Sequence, residues 1–172
     1  STIAAFILET VTGTNGILIP PDGYLQGLRA ICDRHGILLV CDEVMAGLGR
    51  TGTWFAVDHW DVVPDILTMA KGLTSAYLPL GAVAVSDRIA AHFDKNVFYG
   101  GLTYSSHPMC LAAAEACLQV MQDDDLISHT RRMGRVLTEL HMEMKENHPS
   151  VGDVRSIGLF GVLELVRNRE TR

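Results

Sequence analysis

Two charged side chains stand where a sheet would hand them to a ligand. The run Gly36-Ile-Leu-Leu-Val-Cys41 ends in Asp42-Glu43, and a second apolar run, Ile66-Leu-Thr-Met-Ala70, ends in Lys71-Gly72. Both runs are continuous rather than alternating, the pattern of strands covered on both faces of a parallel sheet. Open α/β sheets bind ligands outside the carboxyl ends of their strands, so Asp42 and Lys71 are expected on one sheet edge. A single Asp at such a place serves more often as a turn or helix cap. Here a glycine-spaced loop, Gly47-Leu-Gly-Arg-Thr-Gly52, follows it and implies close approach to something. An ammonium buried at a strand end is costly unless it is paired or neutral. A neutral lysine amine attacks carbonyls, so the pattern points to Schiff-base chemistry.

The elements that must carry these residues can be read in order. Ile3 to Leu8 is an apolar run ending in Glu9, read as a core strand with a carboxylate at its mouth; Thr12-Gly-Thr-Asn-Gly16 reads as a turn, with no phosphate-loop lysine after it. Pro20-Pro21-Asp22-Gly23 starts a helix in which Leu25, Leu28, Ile31 and Cys32 recur at helical spacing up to Gly36, the expected C-cap. Strand, helix and strand in this order form a right-handed βαβ unit and hence a parallel sheet. Trp54-Phe55 and His59-Trp60 read as core or interface packing, with a channel edge as the alternative. Ala82 to Val85 is a short β-run, Ser86 an N-cap, and Pro108 opens a helix to about Met121. A long helix over 126–147 should bury Ile127, Met133, Val136, Leu137 and Leu140, and two short β-pieces follow around Gly158 and Gly161.

Composition narrows the function classes. The 172 residues are 48% hydrophobic, enough for one well-buried domain. Scattered Lys and Arg in a chain of net charge −6 argue against nucleic acid and anionic membranes. No apolar run approaches the roughly 20 residues of a membrane span. The cysteines Cys32, Cys41, Cys110 and Cys117 lack CxxC spacing and read as free thiols, and no HExxH-like pair supports a metal site. Absent targeting signals and unpaired cysteines suggest a cytoplasmic protein. A nicotinamide-binding Rossmann reading fails because no GxGxxG follows a strand.

Five separated motifs, Asp42-Glu-Val, Gly49-Arg-Thr-Gly52, Ala70-Lys71-Gly72, Pro79-Leu-Gly-Ala82 and Thr103-Tyr-Ser-Ser-His-Pro108, together resemble the class III aminotransferases, pyridoxal-phosphate enzymes of fold type I. The resemblance spans the whole chain, and it implies a partial α/β large domain over 1–121, a parallel-rich sheet with flanking helices. The linking helix and the start of a small α+β C-terminal domain would occupy 122–172, the whole being an internal piece of a longer family protein. It further implies that Lys71 carries pyridoxal 5′-phosphate as an aldimine and shuttles the proton, while Asp42 faces the pyridine nitrogen and Val44 packs on the ring. Thr103 reads from the residues either as a phosphate donor or as a turn cap; the resemblance implies the first, across a homodimer or dimer-of-dimers interface on the neighbour's cofactor. Glu9 and Met45 would lie beside the cofactor, and Arg50 reads either as an anion ligand or as a structural ion pair.

Three departures refine the expected activity. Thr14 and Met45 replace a glutamate and a glutamine of other family branches, and Ser106-His107-Pro108 resembles the pyruvate-using ω-aminotransferases. The expectation is therefore transfer from an ω-amino acid or amine, taurine or β-alanine among them, to a keto acid, pyruvate. Rival class III activities are 4-aminobutyrate or ornithine transamination, or aminomutase, racemase and decarboxylase chemistry. A partner-binding domain that has lost its cofactor is disfavoured, because Asp42, Lys71 and Thr103 are all present.

Overall fold

The structure is a computed structural model, and it describes residues 2–171. A four-stranded sheet takes the order β1 (Ala5–Glu9), β2 (Leu38–Asp42), β3 (Ile66–Met69), β4 (Ala82–Val85); the first three are parallel and β4 is antiparallel. Helix α1 (Tyr24–His35) makes the crossover from β1 to β2 and buries Leu25 and Cys32. It stops where expected. Gly36 takes the left-handed conformation (φ 64°) that glycine adopts without strain, and the Ile37 N–H closes on the Cys32 carbonyl at 2.9 Å.

The second half is helical and then forms a hairpin. Helices α2 (Asp87–Phe93), α3 (Pro108–Asp123) and α4 (Leu126–Asn147) lead to β5 (Val151–Ile157) and β6 (Phe160–Leu165), an antiparallel pair. Phe160 joins the buried cluster that also holds Leu25, Leu39, Cys41 and Trp60, so the hairpin is packed into the same core as the sheet. Among the described residues no helix is long and apolar enough to cross a membrane.

An unexpected carboxylate ties the sheet's other end. Asp65 accepts the Leu39 N–H and the Arg29 guanidinium at 2.9 Å each, and Arg88 at 2.8 Å, joining α1, β2 and α2. Burial would raise its pKa, but the Leu39 N–H and the two arginines outweigh that and hold it below the usual carboxylate range.

Several expectations need correction. In this chain β1 is largely exposed: Ile7 is 67% exposed, and no second layer lies over it among the described residues. Helix α4 buries Ile127 and Gly134 while Met133, Val136 and Leu140 face outward. Ser86 occupies the N-cap position of α2 without making a cap bond, and its hydroxyl is buried without a partner among the described residues. All four cysteines are free thiols, and only Cys32 and Cys41 are buried.

Candidate active site

The site begins with the alternation of a strand. Leu39 and Cys41 of β2 point into the core, which sends Asp42 to the opposite face. Asp42 pairs in register with Glu9 of β1 and Thr68 of β3, so Glu9, Asp42 and Thr68 share one face at the tips of three parallel strands. The Asp42 side chain is half-buried, and its Oδ1 accepts the Val44 N–H at 2.9 Å. That bond orients the carboxylate and leaves Oδ2 with no hydrogen-bond partner among the described residues.

Glu43, the adjacent acid, does the opposite. It is 0% exposed, accepts the Thr10 hydroxyl at 2.7 Å, and takes the backbone N–H groups of Ala56 at 2.9 Å and Val57 at 3.0 Å. Those two amides open the 3₁₀ turn Ala56–Trp60. Burial pushes the Glu43 carboxyl up from its ordinary pKa, against the pull of Thr10 and the two amides. Glu43 is a clamp between β1 and the loop after β2. Glu43→Gln in the full-length protein should cost about 1–3 kcal/mol, since an amide NH₂ must face one of three donors. Glu43→Ala should cost about 3–5 kcal/mol. The shift of a urea midpoint at constant slope measures both, and an unchanged midpoint in Glu43→Ala removes the clamp.

Lys71 needs a correction. Strand β3 ends at Met69, and Lys71 starts a one-turn 3₁₀ segment with φ 42°, where its side chain is exposed rather than buried. No hydrogen bond or ion pair holds its Nζ among the described residues. It lies on an open groove of about 640 Å³ with Thr74, Leu78, Pro79 and Gly81. The turn nonetheless packs on the Asp42 loop: a Cβ on Gly72 would sit 3.2 Å from Leu48 Cβ.

Asp42 ends β2, and Lys71 follows two residues after the end of its neighbour β3. Lys71 lies three residues beyond Thr68, the register partner of Asp42. A chain rises at most roughly 3.6 Å per residue and strands lie about 4.8 Å apart, so the two Cα atoms are within about 16 Å.

The remaining expected residues divide. Val44 and Met45 are half-buried just past Asp42, and the Met45 sulfur packs so closely on Gly13 that a Cβ there would collide with it. Glu9 Oε2 accepts the Gly13 N–H at 2.8 Å and so holds the turn after β1. Arg50 and Thr103 are exposed, and among the described residues no hydrogen bond draws either toward Asp42 or Lys71. Arg50 instead offers its carbonyl to the Leu159 N–H at 3.0 Å. The sequence reading gave no role to Glu43 or Thr68: the clamp is decided by Thr10, Ala56 and Val57, distant in sequence, and Thr68 by the pairing of β3 with β2.

Comparisons with known proteins fit this geometry. The family model for "Aminotransferase class-III" matches residues 1–172. An omega-aminotransferase of Caulobacter vibrioides is 45% identical over 96% of this chain and 38% of its own length. A taurine–pyruvate aminotransferase of Bilophila wadsworthia is 38% identical over 99% of this chain and 39% of its own. Among solved structures, a taurine:2-oxoglutarate aminotransferase of Bifidobacterium kashiwanohense, in complex with PLP and glutamate, superposes with a TM-score of 0.95 at 47% identity, covering 98% of this chain and 38% of that one. The chain therefore spans about two fifths of the length of these relatives. With its full length matched by the family model and its fold shared with a solved member, the chain belongs to the class III aminotransferases.

Proposed function

We propose that the full-length protein transfers an amino group from an ω-amino acid or amine, of the taurine or β-alanine kind, to pyruvate, using pyridoxal 5′-phosphate. The observation that carries this reading is a carboxylate oxygen on Asp42, at the end of β2, and an amine on Lys71, in the turn just after the neighbouring β3, each without a hydrogen-bond partner among the described residues. Those residues fit the cofactor: an anion open on one side suits a protonated ring nitrogen, and an exposed amine on a groove suits an aldehyde. When bound, pyridoxal phosphate supplies an electron sink for the carbanion left by the donor.

This chain's own groups then have distinct tasks. Asp42 holds a proton on the ring nitrogen through a charge-assisted hydrogen bond, with Val44 N–H fixing the carboxylate from behind. Lys71 Nζ would hold the cofactor covalently and, once freed, would take a proton from the donor carbon and deliver it to the cofactor carbon, as general base and then acid. Val44 lies against the ring, and Glu9 and Met45 support the site from the β1 side.

Thr103 acts on the neighbouring subunit's phosphate in a homodimer or a dimer of dimers. Support comes from the stretch 94–107, exposed throughout and carrying Phe98, Tyr99 and Tyr104, with Tyr99 95% exposed. Arg50, exposed and without a side-chain partner among the described residues, is available to an anionic group. Residues 1–121 belong to the large domain, and 122–172 form the linking helix and the start of the small one. The free thiols favour a cytoplasmic setting.

The relatives' names divide over the acceptor, pyruvate in one case and 2-oxoglutarate in another. The preference for pyruvate rests on Thr14, Met45 and Ser106-His107-Pro108. Full-length protein incubated with taurine or β-alanine and each keto acid should form alanine well above glutamate. Glutamate in excess overturns the acceptor, and neither product from any donor overturns transamination.

A further inference from the structure

Thr68 carries a hydroxyl oxygen sealed from solvent and without a hydrogen-bond partner among the described residues. Buried hydroxyls are rarely left so, because the lost hydration is not recovered. Atoms of this chain enclose the oxygen, so its nearest possible partners are its neighbours in the sheet. The register names the candidates. Thr68 is flanked in the sheet by Asp42 on β2 and Val83 on β4, and residues paired in register project to the same face. Valine accepts nothing, which leaves the Asp42 carboxylate on a strand about 4.8 Å away. Asp42 has spare capacity, because among the described residues its carboxylate accepts only the Val44 N–H, on Oδ1. A single step of Thr68 χ1 between staggered wells re-aims the hydroxyl.

We propose that Thr68 is a positioning residue for Asp42: its hydroxyl donates to the Asp42 carboxylate when that carboxylate engages a ligand cation. The inference rests on the reading of Asp42 given above, and adds a second donor to the Val44 amide. Two donors on one carboxylate fix its plane. Because Asp42 is the group read as meeting the cofactor, the strength of this bond should appear in cofactor affinity more than in folding.

That separation makes the test sharp. In the full-length apoprotein, Thr68→Val should weaken pyridoxal phosphate roughly tenfold, the usual effect of one hydrogen bond to a charged group, while Thr68→Ser stays within about twofold of wild type. The melting temperature of apo Thr68→Val should hold or rise, since a methyl replaces an unpaired buried hydroxyl. A Thr68→Val dissociation constant within about twofold of wild type, with Asp42→Ala still binding poorly, overturns the role of Thr68 and leaves Asp42 standing. Equal weakening in Val and Ser, with a lower melting temperature in both, assigns Thr68 to packing and also overturns it. Wild-type protein that binds no cofactor removes the functional reading itself, and this inference with it.

Discussion

Lys71→Ala in the full-length protein should lower kcat for amino transfer by roughly 10⁴-fold or more while leaving the fold intact. The loss is large because one amine is asked both to bind covalently and to move the proton, and no neighbouring base can take over: the groove residues Thr74, Leu78, Pro79 and Gly81 offer none. Stability should change by less than about 0.5 kcal/mol, since the side chain is exposed and unpartnered. Lys71→Arg should not restore the rate, because a guanidinium stays charged and cannot attack an aldehyde. Turnover with saturating donor and pyruvate gives the rate, and the visible absorption of lysine-bound cofactor gives an independent readout. A Lys71→Ala enzyme within about tenfold of wild-type kcat would place the chemistry elsewhere.

Where spacing alone decides an element, the sequence reading and the structure agree. Helix α1 spans Tyr24–His35 with Gly36 beyond it, since a 3.6-residue stripe and a left-handed glycine are both local signals. Strand β2, the short β4 and the hairpin around Gly158 were legible for the same reason. The fate of each acid was not. Leu39, Val40 and Cys41 are apolar on both faces of the strand, so nothing in the run shows which way Asp42 and Glu43 turn. Glu43 is decided by Thr10, Ala56 and Val57, residues as many as 33 positions away. Lys71 was read as buried because an apolar run precedes it, yet its turn begins with a positive φ that lysine does not advertise. Ile7, Val83 and Val85 look like core residues, but whether a sheet face is covered depends on a second layer, which no strand pattern encodes.

The neighbouring acids supply the most discriminating comparison. Asp42→Asn keeps an Oδ1 acceptor for the Val44 N–H, so the loop after β2 should hold and the melting temperature should barely move. What it removes is negative charge at Oδ2, and it can put an NH₂ donor where a protonated ring nitrogen also donates. The carboxylate's bond to that nitrogen is charge-assisted, roughly twice as strong as a neutral one, and its replacement turns attraction into a clash of donors. Expected losses are about 10²- to 10⁴-fold in kcat, together with weaker cofactor binding. Glu43→Gln should do the reverse, lowering the urea midpoint while the fraction still folded keeps a rate near wild type, because its three partners lie inside the protein. Measuring both quantities for both variants gives a crossed pattern that general damage to the strand tip cannot produce. If Asp42→Asn proves the unstable but active variant and Glu43→Gln the stable but inactive one, the two carboxylates have been assigned the wrong way round. The strand face that carries Thr68 would then be structural as well.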